Sequence, residues 1–176
     1  LSEREEAPYK EYKRDAAKFV CTPANAKRHR PELEEKLKRL EAYANTSKLN
    51  KMELNGTKVG VVSASVAYQY AKEVFPEDTS FLKLGFTYPL PMDLIRNFAA
   101  KVETLYVVEE LEPFMEEQMK AAGISCIGKD VVPRMYELNP EVLQKAVFKT
   151  EPETKAVSVA PVPRPPVLCA GCPHRG

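Results

Sequence analysis

Residues 102–119 read VETLYVVEELEPFMEEQM, and few folds accommodate so abrupt a change of character. Leu105 to Val108 is a short apolar run rich in β-branched and aromatic side chains, the pattern of a strand buried on both faces. Glu109, Glu110 and Glu112 then bring in acid. Pro113 suits the first position of a helix, Phe114, Met115, Met119 and Ala122 recur at helical spacing, and Gly123 offers a stop. A buried strand feeding a helix with an acidic first turn is half of an α/β unit, with the carboxylates where the helix dipole favours them.

The same unit recurs on both sides. Met52 to Leu54 reads as a short strand, Asn55-Gly56 as a tight turn, and Lys58 to Ser63 as the clearest strand of the chain. Ser63 or Ser65 is placed to cap a helix with Val66, Ala67, Tyr70, Ala71, Val74 and Phe75 on its apolar face. Pro76 ends that helix. Phe81 to Leu84 is a further strand, running into Gly85 and a loop shaped by Pro89 and Pro91. Leu94, Ile95, Phe98 and Ala99 then mark a helix, Ser125 to Ile127 a strand, and Asn139-Pro140 opens a last helix with Val142, Leu143, Ala146 and Val147 inward.

Alternating strands and helices imply an open, largely parallel sheet covered on both faces, because parallel strands need crossover connections. The Asn-Gly turn suggests that the first short strand runs antiparallel to the strand that follows it. Upstream, residues 1–18 read as a charged surface segment and Phe19 to Cys21 as a short strand. Thr22-Pro23 is an entry signal for a turn or helix, and Pro31 to Asn45 a helix striped by Leu33, Leu37, Leu40 and Ala44. A helix of about 15 residues is marginal alone in water, so this one must lie on something. After Lys149, prolines at 152, 161, 163, 165 and 166 without helical period describe an extended linker leading to CAGCPHRG.

Composition narrows the function. The 176 residues carry a net charge of +1, which gives no field for nucleic acid or an anionic membrane surface. Hydrophobic content of 44% excludes a wholly disordered chain. No run reaches the roughly 18 apolar residues of a membrane span, and the first residues lack the apolar core of a signal peptide, so a cytoplasmic protein is expected. A chain that starts at Leu1 and stops just after CAGCPHRG reads as a piece of a longer polypeptide.

Four motifs could carry chemistry. Cys169 and Cys172 are spaced to reach one metal ion or cluster, but two ligands do not complete a site, and Cys21, Cys126, His29 and His174 are the remaining soft donors. The readings are exposed free thiols or a zinc-stabilised knuckle. Glu109, Glu110, Glu112, Glu116 and Glu117 read as a helix N-terminus dressed in acid rather than a cation site or acid/base pair. Ser63 to Ser65 lacks the glycines of a phosphate loop. Lys27 to Arg30 is too short a basic patch for nucleic acid and is expected to pack against a neighbouring domain.

KVGVVSASVAYQYA, FLKLGFTYPLP, LYVVEELEPFMEEQM and CAGCPHRG, in that order and preceded by FVCTPANAKRHRPELEEKLKRL, resemble the middle of the α subunit of indolepyruvate:ferredoxin oxidoreductases. The resemblance covers essentially the whole chain. It implies a parent enzyme that oxidatively decarboxylates aryl 2-oxoacids, forms the aryl-acetyl-coenzyme A and reduces ferredoxin. Thiamine diphosphate, Mg²⁺, coenzyme A and iron–sulfur clusters would serve the parent, and none is expected on this piece, which would be inert alone.

The fold implied is that of a transketolase C-terminal-like domain, a three-layer α/β/α sandwich on a mostly parallel five-stranded sheet with one antiparallel strand. Residues 1–50 would be an extension and linker helix leaving a preceding domain, 51–150 the α/β domain, and 151–176 a Pro-rich linker and the start of a thiamine-diphosphate domain. The resemblance carries over only Cys169 and Cys172 as metal ligands and Gly171 and His174 at the cofactor threshold. No catalytic residue is carried over. Partners would be the flanking domains of the same subunit, a β subunit and ferredoxin, with self-association through exposed docking surfaces. The other reading is a freestanding flavodoxin-like module holding a ligand near Ser63 to Val66 or after Glu109.

Overall fold

The computed structural model describes residues 6–151 and 162. Its sheet comprises β1 (Lys51–Glu53), β2 (Val59–Ala64), β3 (Ser80–Leu84) and β4 (Thr104–Val108) in the order β1-β3-β2-β4. The two pairings within β3-β2-β4 are parallel, and β1 runs antiparallel to β3. Helices α1 (Ala16–Phe19) and α2 (Pro23–Thr46) precede the sheet; α3 (Ser65–Val74), α4 (Met92–Ala99), α5 (Phe114–Ala121) and α6 (Pro140–Phe148) follow its strands.

Side-chain alternation along the strands builds two cores. Val61, Phe81 and Val108 point to one face, where Ala67, Tyr68 and Ala71 of α3, with Phe75 just beyond it, and Leu143 of α6 cover them. Val62, Leu82, Leu84, Leu105 and Val107 point to the other, beneath Ile95 and Phe98 of α4 and Met115 and Met119 of α5. The result is the expected α/β/α sandwich on a mixed, mostly parallel sheet. Its fifth strand is reduced to one parallel bridge between Tyr106 and Ile127. The next residues explain the loss: Lys129 N–H donates to the Glu116 carboxylate, and a Cβ at Gly128 would overlap that carboxylate. The chain is drawn off the sheet after a single pairing.

Four local expectations change. The antiparallel partner of β1 is β3, not the strand next in sequence. Asn55 and Gly56 serve a different purpose from a hairpin: Asn55 Nδ2 donates to the Thr79 carbonyl, and Ser80 Oγ accepts from both Asn55 and Gly56 N–H groups. Gly56 is required there because a Cβ would collide with the Asp78 carbonyl oxygen. Phe19 to Cys21 forms no strand; Phe19 ends α1 instead. The buried face of α3 is rotated from the expected one, with Ala67, Tyr68 and Ala71 inward and Val66 exposed.

Helix α2 begins eight residues before Pro31, capped by Thr22 Oγ1, which accepts from Asn25 N–H. Pro31 costs the helix one N–H donor and is tolerated at an exposed position. Within the basic patch, Arg28 and His29 both reach the Ala17 carbonyl, and Asn25 Nδ2 donates to that of Val20, so these residues cap α1 of the same chain. The Ala17 carbonyl, and then Glu32, raise the His29 pKa above the ordinary imidazole range.

Only the C-terminal end of α2 meets the sheet domain. Asn45 Oδ1 accepts from Asp93 and Leu94 N–H, capping α4 from outside because Pro91 offers no cap of its own. Asn50 Oδ1 accepts from Gly85 and Phe86 N–H while its Nδ2 donates to the Ala44 carbonyl. The stretch that interrupts the leucine stripe is therefore the joint between helix and sheet.

Gly56→Ala is expected to destabilise the chain by about 1–3 kcal/mol, the usual cost of forcing a methyl group against fixed backbone. Urea unfolding followed by circular dichroism measures it, and an unchanged midpoint would show that the Asn55–Ser80 junction yields freely.

Candidate interaction rim at the carboxyl ends of the strands

From the adjacent strands β2 and β4 the chain leaves in opposite senses. β2 continues into α3 on one face, β4 into α5 on the other, and a crevice opens between the two departures, the usual ligand position of an open α/β sheet. It encloses about 180 Å³ and is lined by Ala64, Ser65, Thr87, Glu109, Glu110 and Phe114 among others. Pockets for drug-sized ligands span about 300–1,000 Å³, so this one is small.

Of the acids at its walls, Glu109 is engaged by the fold and Glu110 is exposed. Glu109 is buried at 8% exposure, and its carboxylate accepts from Met115 N–H at 2.8 Å and Glu116 N–H at 3.0 Å. These are two of the N–H groups that a helix leaves without an internal partner, so Glu109 caps α5 from six residues upstream. Burial pushes its pKa above the ordinary carboxylate range, while the two N–H donors and the Lys129 ammonium pull it down. Ser63 Oγ donates to the Val108 carbonyl at 2.7 Å, tying β2 to β4. Neither Ser63 nor Ser65 caps α3, whose first turn has no side-chain cap; Ser65 begins it with φ of 52°.

Glu116, 4% exposed, accepts from Lys120 Nζ at 2.6 Å and Lys129 N–H at 2.7 Å. Lys129 Nζ in turn donates to the Glu109 carbonyl and, at 3.4 Å, to that of Pro133. Desolvation lowers the Lys129 pKa. Arg134 pairs with Glu112. Residues 128–134 are thereby fastened to the start of α5. The acidic cluster is a helix terminus dressed in acid, as its position in the sequence suggests, and two of its members also hold a loop.

Apolar groups, by contrast, face solvent around the crevice. Tyr88, Leu111, Phe114, Met135 and Tyr136 are all exposed, Tyr136 at 88%. Tyr88 and Phe114 lie with ring centroids 6.4 Å apart, tilted 48°. Among the described residues, three of the four non-glycine residues with positive φ, Ser65, Leu111 and Tyr136, fall at this end of the sheet. Left-handed backbone at a leucine and a tyrosine is costly, and such strain gathers where a surface has a task beyond packing. Periodicity could not reveal this rim, because Leu111 and Tyr136 lie in loops; the aromatic residues beside Pro89 and Pro113 were the available signal.

Cys169, Gly171, Cys172 and His174 lie outside the described residues. Cys21 is exposed and Cys126 half-buried, with its thiol pKa raised by burial. They sit on α2's approach and on the fifth-strand bridge, in separate parts of the chain. Among the described residues, no three His, Cys, Asp or Glu side chains are grouped to hold a metal ion. None of the described helices is long and apolar enough to cross a membrane.

The chain is 35% identical over 188 aligned positions to the indolepyruvate oxidoreductase subunit IorA of Thermococcus kodakarensis, covering 93% of this chain and 29% of that subunit. The chain matches one part of the IorA subunit. The IorA subunits of Archaeoglobus fulgidus and Methanothermobacter thermautotrophicus are 34% and 35% identical, again over 93% of this chain and 29% of each subunit. The chain thus spans less than a third of the length of these IorA relatives. No protein-family model matches it, and no solved structure does.

Replacing Glu109 by Gln leaves one acceptor for two N–H groups, and an expected loss of about 1 kcal/mol follows. The pH dependence has a definite sign. With its folded-state pKa raised, Glu109 holds a proton that the unfolded chain has already released, so its contribution is fullest below the unfolded pKa and is lost as pH rises through the folded one. Unfolding free energies of native chain and E109Q, compared from pH 4 to pH 7, should converge as pH rises. A constant difference would contradict the raised pKa.

Proposed function

We propose that this chain is a structural and assembly domain of an indolepyruvate:ferredoxin oxidoreductase, one that positions neighbouring domains of its subunit and performs no bond-making itself. The observation that carries the reading is the likeness to IorA subunits over 93% of the chain. The rim agrees with it, since exposed aromatic residues on a fastened loop suit contact with a partner surface.

In this reading the parent enzyme oxidatively decarboxylates aryl 2-oxoacids to aryl-acetyl-coenzyme A and reduces ferredoxin. It uses thiamine diphosphate, Mg²⁺ and iron–sulfur clusters, together with a β subunit, in the cytoplasm. The crevice does not fit thiamine diphosphate: its buried carboxylate, Glu109, already serves α5, and about 180 Å³ is too small for that cofactor. Cys169 and Cys172, with Gly171 and His174 beside them, are the residues that would meet a cluster or cofactor held by other domains.

The alternative, a flavodoxin-like binding module, draws on the crevice at the strand ends. The small volume and the engagement of Glu109 by α5 argue against a nucleotide-sized ligand.

The test is dye reduction with indolepyruvate, phenylpyruvate and 4-hydroxyphenylpyruvate. The subunit carrying this sequence is co-expressed anaerobically with its partner and supplied with thiamine diphosphate, Mg²⁺ and coenzyme A. Turnover is expected from the complete complex, with loss of activity and of subunit association when residues 1–176 are deleted. A folded, cluster-loaded complete complex that turns over none of the three would sink the assignment.

A further inference from the structure

The rim and the end of the chain are complementary. At the rim, Tyr88 and Leu111 are 62% and 59% exposed, Phe114 stands tilted against Tyr88, and Glu110 is exposed between them in sequence and borders the crevice. At the other end of the sequence, residues 154–176 contain Lys155, Arg164 and Arg175 and no Asp or Glu. Arg164 is set among Pro163, Pro165 and Pro166. Proline-rich segments favour the polyproline II helix, lose little entropy on binding, and dock on aromatic-lined grooves; a flanking arginine pairs with acid beside such a groove.

We propose that the chain's own segment 163–168, PRPPVL, lies across this rim, with its prolines against Tyr88 and Phe114 and the Arg164 guanidinium at the Glu110 carboxylate. Reach permits it. Phe148, at the end of α6, stacks on Phe75, which follows the C-terminal end of α3, so the chain leaves the sandwich at the end of the sheet away from the rim. The 12 residues from Glu151 to Pro163 extend to about 37 Å at the polyproline rise, against a strand length of about 20 Å. Tethering also favours this occupant over a free partner, because a linked segment acts at an effective concentration in the millimolar range. Cys169 and Cys172, immediately beyond, would then stand over the crevice. The inference rests on the rim being a contact face and not on the oxidoreductase assignment, so the two can fail separately.

The experiment is paramagnetic relaxation in the full chain, with Cys21, Cys126 and Cys172 replaced by Ser and a nitroxide on Cys169. Broadening is expected at Tyr88, Leu111 and Phe114 and not along α6, with its loss in Arg164→Glu and its return when Glu110→Arg is added. Arg164 lies outside the described residues, and the signals of β2 and β4 report that each variant remains folded. Absent broadening, or broadening spread evenly over the surface, would overturn the proposal. So would broadening seen only on unlabelled chains mixed with labelled ones, which would assign the rim to a second copy.

Discussion

The Glu109 carboxylate on the first N–H groups of α5 is the contact on which the carboxyl end of this sheet depends. A helix entered through Pro113 has no side-chain cap next to it, so the acceptor must come from further back. The last residue before the turn supplies it, and the loop from Glu110 to Pro113 is closed as a consequence. That closure places Leu111 in left-handed backbone and turns Phe114 outward. Glu116 and Lys129 then extend the same logic to the following loop, each buried charge finding a partner, as burial in low dielectric requires.

A second constraint operates at the amino side. Asn45 and Asn50 supply acceptors to four N–H groups on α4 and the β3 exit. Helix α2 is thus joined to the domain by hydrogen bonds at one end and little else, with Ala44 its only buried residue. Along the leucine stripe beyond that joint Leu33 is exposed and Leu37 and Leu40 are half-buried.

Strand and helix identities were legible because the buried parallel strands are short apolar runs and the helices carry clear start and stop signals; Asn139 and Gly123 act where their chemistry says they should. The acidic cluster was legible for the same reason, since helix dipole and carboxylate agree locally. What escaped were partnerships between residues far apart in sequence. Nothing near Asn55 announces Ser80, and nothing near Glu116 announces Lys129, yet these pairings decided that β1 joins β3 and that the fifth strand stops after one bridge. Ser63 was misread as a cap because its actual acceptor lies 45 residues away. The rim was hidden for a further reason: exposure is a property of the assembled surface.

The truncated fifth strand has one more consequence. Exposed sheet edges invite pairing with other chains, and natural proteins blunt them with short or charged strands. Here β1 is three residues long, begins with Lys51 and sets it opposite Lys83, while the far side of β4 is screened at Tyr106 by a single bridge from a segment that turns away at Gly128. Neither margin offers a long flat ladder for amyloid-like growth. A protein that must present sticky aromatic side chains while it waits for its neighbours is thereby kept from recruiting them through its backbone, and recognition is confined to the end of the sheet where side chains can discriminate.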